Sequence, residues 1–301
     1  MSAGAPLGDV RRIAVLRPNA VGDFVFALPA LHALKQRYPG AELVYIGKAW
    51  HRAFLHGRPG PVDRVAEMPT VSGVGAPLDT QVDHEAVARF VDAMRAQRFD
   101  LALQLFGGGL YSNPFLLRLG ARLSVGARAP DAAALDRSLP WREPVNRRLA
   151  LLEIAGLAGA WPACLPLPEL ALTPADRIEA ARAVAPGAGE RLVLLQPGAS
   201  DPRRRWPARC FAQLGDMLAR DGARIVVNGS AQEAGLVAEV AGHMRHPATT
   251  LAGPLAPAPV PALAPAPAPG LDEVTVDEVA GLARAVLAQR HRVQTGSIDR
   301  G

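Results

Sequence analysis

The stretch "RRIAVLRPNAVGDFVFALPALHAL", Arg11 to Leu34, constrains the fold more than any other part of the chain. Ile13 to Leu16 is a short continuous apolar run, as expected of a strand buried on both faces. A turn follows, then residues with a helical apolar period. Leu43 to Ile46 and Leu101 to Leu105 repeat the apolar run, and Glu85 to Gln97 repeats the helix. Strands alternating with helices predict a parallel sheet covered on both faces.

A second series begins past residue 190. "RLVLLQPGAS" reads as strand then turn, "PARCFAQLGDMLARDG" as a helix stopped by a glycine, "ARIVVNGS" as strand then turn, and "AQEAGLVAEVAGHM" as a helix. At 301 residues the chain is long enough for about two domains of roughly 150 residues each. The Pro/Ala/Gly-rich stretch from Trp161 to Gly189 is expected to be the hinge between them. Beyond it, "GPLAPAPVPALAPAPAPG", Gly253 to Gly270, removes backbone donors and fixes φ at every second to fourth residue. That tract is predicted to be an extended, polyproline-like linker. Val276, Val279, Leu282, Val286 and Leu287 then mark one closing helix. The expected organisation is therefore a first domain over 1–170, a reduced second domain over 190–252, a linker over 253–270, and a helix and tail over 271–301.

Charge and cysteines narrow the function classes. The excess of 33 Lys plus Arg over 28 Asp plus Glu, a net +5, suits an anionic partner without naming it. Cys164 and Cys210 lie in no Cys-x-x-Cys pattern, so neither a zinc site nor a disulfide framework is indicated. The N-terminal "MSAGAPLGDVRR" lacks the apolar stretch of a secretion signal, and no apolar run is long enough to span a bilayer. The expected location is the cytoplasm, with any membrane contact peripheral, at the inner face of the cytoplasmic membrane.

Three segments can carry chemistry. In open parallel sheets the ligand crevice lies beyond the carboxyl ends of the strands, which is where "RPNAVGD" falls. Gly22 permits close backbone approach, and the helix that follows presents free N–H groups. Asp23 has two readings. An aspartate before an apolar helix is commonly an N-cap; a carboxylate at a cleft edge can also take a proton from an incoming hydroxyl as general base. Both roles can coexist. Pro29 is expected to kink this helix or to mark a second start.

In the second segment, "QPGASDPRRRWPARCF", Pro197-Gly198 and Ser200 precede Arg203, Arg204, Arg205 and Trp206-Pro207. Cations beside a helix N-terminus oppose its dipole unless an anion joins them. A phosphate held by guanidinium forks and backbone N–H groups would resolve the conflict, and so would arginines pointing into solvent. In the third, "VVNGSAQE", Gly229-Ser230 opens a helix with Glu233 in its first turn, where a carboxylate either favours the dipole or reaches a ribose hydroxyl. His243 and His246 have no third ligand and read as an exposed helix end. The chain has neither a Gly-x-Gly-x-x-Gly fingerprint after its strands nor a Gly-Lys-Ser/Thr pair, which disfavours an NAD-dependent oxidoreductase and a P-loop enzyme. It has no Asp-x-Asp pair for a metal-clamping sugar transferase either.

Together these segments resemble glycosyltransferase family 9, the ADP-heptose:lipopolysaccharide heptosyltransferases. Gly22-Asp23 with "LPALHALKQRYPGAEL" looks like the family's first signature, "PGAS…RRRWPARCFAQL" like its second-domain signature, and "VVNGSAQE" like the strand and turn that follow. The resemblance implies an α/β GT-B fold, two Rossmann-like domains with parallel sheets facing a cleft, the second one reduced. It implies metal-independent, inverting sugar transfer with no cofactor. The donor would be an ADP-heptose-like nucleotide sugar and the acceptor an anionic glycolipid or oligosaccharide, with no nucleic acid as partner.

In that pattern Asp23 is the catalytic base, with Asn19 and Gly22 on the acceptor side. The donor residues are Gly198, Ser200, Arg204, Arg205, Gly229, Ser230 and Glu233. Arg204 falls where the family commonly has a lysine, and Asn19-Ala20 where it often has small hydroxyl residues. The chain departs from the family after "TTLAG". A helix, a strand and an Asp-Ser/Thr-Gly-x-x-His turn are expected there, and the Pro/Ala tract stands in their place. Three readings of that gap stay open: a reduced sheet with weak donor binding, a partner that supplies the remainder, or a deletion. A non-catalytic member that binds a glycan or a partner without sugar transfer is the alternative function.

Overall fold

A computed structural model describes residues 7–143, 146–162, 170–184, 187, 190–199, 201–253, 275–277, 279–281 and 283–284. It divides into two compact units, Met1–Thr173 and Pro174–Gly301.

The first unit begins with β1 (Arg12–Leu16), α1 (Val21–Arg37), β2 (Glu42–Gly47), α2 (Ala49–Leu55) and β3 (Arg64–Glu67). Two short strands, β4 (Val71–Ser72) and β5 (Gly75–Ala76), pair only with each other. Then come α3 (His84–Arg95), β6 (Leu101–Gln104), α4 (Ser112–Leu117), β7 (Leu123–Arg128), β8 (Arg137–Pro140) and α5 (Arg147–Leu157). The main sheet is parallel throughout, in the order β3-β2-β1-β6-β7-β8.

β1 is central and buried on both faces. Ile13 and Val15 point into a core shared with α1 and α5, whereas Ala14 and Leu16 point into a second core shared with α3 and α4. All four are fully buried. This is why the strand reads as an unbroken apolar run, and truncating a large member to alanine should cost about 2–5 kcal/mol. α1 crosses Pro29 as one helix, so the buried proline marks no second start. The strand order reverses between β1 and β6, and the carboxyl ends of these two strands define the switch point where open α/β sheets bind ligands.

The second unit comprises α6 (Pro174–Ala183), β9 (Arg191–Leu195), α7 (Ala208–Arg220), β10 (Ala223–Ser230), α8 (Ala234–His243) and β11 (Ala248–Gly253), with 3₁₀ turns at Pro202–Arg204 and Ala231–Glu233. α6 lies within the Trp161 to Gly189 stretch expected as the hinge, so part of that stretch is helical. Proline suits the first helical position because its missing N–H would have had no helical partner there.

The second sheet is parallel and three-stranded among the described residues, in the order β11-β10-β9. It repeats one half of the first sheet's order and is reduced by comparison. Leu195, Ile225 and Val227 meet Leu214, Leu218, Val237 and Val240 of α7 and α8 in one core. Leu192 and Leu194, on the opposite face of β9, are exposed. Residues 276, 277, 279–281, 283 and 284 are helical. Ala280 is fully buried in this core, with Val276, Val279 and Ala283 against it. The tract after Gly253, and Leu282, Val286 and Leu287 of the expected closing helix, lie outside the described residues. No helix among the described residues is long and apolar enough to cross a membrane.

Candidate active site

At the switch point of the first sheet, β1 ends at Leu16 and the chain passes through Arg17, Pro18 and Asn19 into α1. Ala20 is the N-cap, in an extended conformation and without a side-chain cap bond, and Phe24 N–H donates to its carbonyl at 3.0 Å. Asp23 is therefore the third helical residue, and the N-cap reading is corrected: its carboxylate serves a different partner. Arg17 Nη2 donates to Asp23 Oδ1 at 2.9 Å and Arg17 Nε donates to the Asp23 main-chain carbonyl at 2.8 Å. Arg17 Nη1 donates to the Leu105 carbonyl at the end of β6. The arginine side chain is 3% exposed and the aspartate 37%. Asp23 Oδ2 makes no hydrogen bond among the described residues. Burial pushes the Arg17 guanidinium below its ordinary value, opposed by Tyr45 and Asp23.

An aromatic bed lies beneath this pair. Phe24 meets Tyr45 edge-on with ring centres 5.5 Å apart, Tyr45 meets His51 at 5.0 Å, and His51 stacks on Trp50 at 3.6 Å. The Tyr45 hydroxyl donates to the Arg17 carbonyl at 2.7 Å. His51 Nδ1 accepts from the Lys48 N–H at 3.0 Å, which leaves any ring proton on Nε2. Burial pushes the His51 imidazole down to about 3, so it is neutral. Gly22 is exposed, with open space where a Cβ would stand, and the buried Oδ1 of Asn19 has no partner among the described residues. Arg17, Tyr45 and His51 were missed by the sequence reading. The signal for Arg17 was a charge placed directly after a four-residue apolar run, since a buried cation must be paired.

The carboxyl ends of β9 and β10 gather Gly198, Gly229, Ser230 and Glu233. Glu233 Oε2 accepts from both the N–H and the hydroxyl of Ser230 at 2.8 Å. A Cβ on Gly198 would overlap the Glu233 carboxylate, and one on Gly229 would meet Val237 at 2.7 Å and Glu233 at 3.1 Å. Ser200 lies outside the described residues.

The three arginines separate into distinct roles. Arg203 forks onto Asp201, with Nη2 2.8 Å from Oδ2 and Nε 3.1 Å from Oδ1, and these bonds hold the Asp201 carboxyl below its usual range. Arg205 Nε donates to the Ala199 carbonyl at 2.9 Å. The Arg204 side chain is exposed and makes no hydrogen bond or ion pair among the described residues, while its main-chain N–H donates to the Asp201 carbonyl at 3.0 Å. The expected conflict between three cations and a helix mouth is thus partly resolved inside the chain, because Asp201 is the anion that joins Arg203.

His246 Nδ1 lies 3.1 Å from Asp216 Oδ1, and Asp216 also accepts the N–H groups of Arg245 and His246, so this histidine belongs to a loop clasp. No group of three or more His, Cys, Asp or Glu among the described residues could hold a metal ion.

Residues 87–264 match the family model described as glycosyltransferase family 9 (heptosyltransferase). Lipopolysaccharide heptosyltransferase 2 of Salmonella typhimurium is 28% identical over 236 residues, covering 74% of this chain and 64% of that protein. Its Escherichia coli K12 counterpart is 27% identical over the same shares. The chain thus spans slightly less than two thirds of the length of these curated relatives. Among solved structures, a glycosyl transferase family 9 protein from Veillonella parvula superposes with a TM-score of 0.67 at 15% identity, covering 83% of this chain and 71% of that one. E. coli ADP-heptose lps heptosyltransferase II superposes with 0.62 at 20%, covering 80% and 72%. These two likenesses concern the fold. The family match extends over more than half of the sequence and over both units, and the chain belongs to glycosyltransferase family 9, the heptosyltransferase family.

Proposed function

We propose that this chain is a metal-independent, inverting glycosyltransferase. It would move heptose or a closely related sugar from an ADP-heptose-like donor to a lipopolysaccharide-type or other glycan acceptor, at the cytoplasmic side of the membrane. Residues 1–170 take the acceptor side and residues 190–252 the nucleotide-sugar side. Family membership supports the reaction class, and the names of the curated relatives and of a solved E. coli heptosyltransferase with ADP support the donor and acceptor classes.

The observation that carries the reading is Asp23: a carboxylate on the first turn of α1, at a sheet switch point, with Oδ1 held and Oδ2 open. Oδ2 takes the proton of the acceptor hydroxyl as that oxygen bonds to the anomeric carbon from the face opposite the leaving group. The bond from that carbon to the diphosphate oxygen breaks, and the electron pair leaves with the diphosphate. Arg204, whose exposed side chain has no partner among the described residues, stabilises that charge.

Asp23→Asn keeps the size and removes the base. It should lower transfer by on the order of 10²–10⁴-fold while ADP still binds. Unchanged turnover would overturn the assignment. A second reading, a member that binds a glycan or partner without sugar transfer, is favoured by the second sheet, three-stranded among the described residues, and by the Pro/Ala tract standing where the family's diphosphate turn is expected. Calorimetry with ADP, UDP and GDP separates the two. Binding of one of them in the micromolar range supports transfer, and silence from all three supports the second reading.

A further inference from the structure

We infer that Arg17 is a positioning residue for the transfer, one that fixes Asp23 at two points and reserves Oδ2 alone for the incoming hydroxyl. The inference rests on the reading of Asp23 as the base. All three guanidinium nitrogens are engaged: Nε with the Asp23 carbonyl, Nη2 with Oδ1, and Nη1 with the Leu105 carbonyl. One rigid plane therefore ties the first turn of α1 to the end of β6. The Arg17 main chain is anchored to β2 as well, because its N–H donates to the Ile46 carbonyl at 3.2 Å and its carbonyl accepts the Tyr45 hydroxyl at 2.7 Å. The residue thus joins both neighbours of β1 at the place where the strand order reverses.

Two consequences follow for the chemistry. With backbone and carboxylate held by one group, the Asp23 side chain has little rotational freedom, and a carboxylate delivered in one orientation meets the hydroxyl without a search. The cation neither gives nor takes a proton: the proton passes from the acceptor oxygen to Oδ2, and Arg17 stays charged throughout. Lysine cannot replace it fully, since a single ammonium on a flexible stem does not reproduce a planar fork that meets three acceptors.

The test uses the full-length protein carrying Arg17→Met or Arg17→Lys, with crystal structures, steady-state transfer and ADP calorimetry. In R17M the Asp23 carboxylate should leave its present position, and kcat should fall by on the order of 10- to 100-fold. The ADP Kd and the donor KM should stay within about twofold. R17K should recover part of kcat. An Asp23 carboxylate that stays in place in R17M overturns the inference, as does wild-type kcat in that variant, or a loss of ADP binding in step with kcat, the mark of a merely structural role. R17K keeps the buried charge and carries the same comparison if R17M does not fold. Wild-type turnover in Asp23→Asn would instead sink the base reading, while the Asp23 position in the Arg17 variants would still report on the clamp itself.

Discussion

The Glu233 carboxylate occupies the space that a side chain on Gly198 would need. That carboxylate also accepts both bonds from Ser230, so one glutamate ties the loop after β9 to the end of β10. Gly198→Ala should push Glu233 away and forfeit the Ser230 bonds, at about 1–2 kcal/mol. The expected readout is a lower Tm together with weaker ADP binding. Gly235→Ala is the control: it sits in α8 with open space around its Cβ position and should instead gain about 0.5–1 kcal/mol from helix propensity. Equal Tm values for the two variants would show that Gly198 is not constrained by Glu233.

Arg203 and Arg204 are neighbours with opposite expectations. Arg204→Gln removes an exposed cation whose side chain has no partner among the described residues, so Tm should move little, while ADP binding should weaken by about 1.5–3 kcal/mol, the worth of a charge-assisted hydrogen bond. Arg203→Gln removes the fork on Asp201 and should loosen the Pro202–Arg204 turn, with the smaller effect on ADP. Calorimetry and thermal melts on both variants decide it, and the reverse ranking would reassign the anion site to Arg203.

Much of this layout was legible because of where the strands lie. β1, β2 and β6 are buried on both faces and so read as continuous apolar runs, and α3 has a clean amphipathic period. β7 was not legible. Ser124 interrupts its apolar run, tolerated because Asp136 Oδ2 accepts from the Ser124 N–H at 2.7 Å and its hydroxyl at 2.6 Å, a pairing that exists only once β7 and β8 are side by side. The same limit applies at the site. A carboxylate at the mouth of α1 is visible from spacing alone, but its partner depends on the path of a long arginine side chain past the end of β6. The N-cap rule failed for that reason too: Asp23 is committed to Arg17, and the helix starts at Val21 on the backbone of Ala20.

Stability should fall between neutral pH and about pH 5, before most carboxylates titrate. The folded His51 is depressed to about 3 by burial, whereas the unfolded imidazole titrates near its ordinary 6.5. Below that value the unfolded chain binds a proton that the folded chain refuses. Stability is therefore full above pH 6.5 and is lost as pH falls toward 3, by about 1.4 kcal/mol per unit. Half-buried His32 is lowered in the same direction and adds to the slope. His51→Asn retains an acceptor for the Lys48 N–H but does not titrate. It should be less stable than wild type at pH 7.5 and close most of that gap by pH 5. A gap that holds constant across this range would show that His51 is not the responsible group.

Ala280 decides whether the closing helix is part of the second core or an appendage. It is fully buried among residues of α7, α8 and β10, while the side chains of the ion pair on the same helix, Arg284 Nε to Asp221 Oδ2 at 2.8 Å, are 49% and 39% exposed. Apolar burial should therefore dominate the attachment. Ala280→Glu places a charge where it finds no water and should cost several kcal/mol, enough to undock the helix or unfold the second unit. Arg284→Ala should cost at most about 1 kcal/mol. Hydrogen exchange reads the difference: in A280E the amides of Ile225 and Val227 should lose protection while those of Ile13 to Leu16 keep theirs. Undiminished protection at β10 in A280E would mean that the second sheet stands without this helix, and larger losses in R284A than in A280E would mean that charge rather than burial holds it.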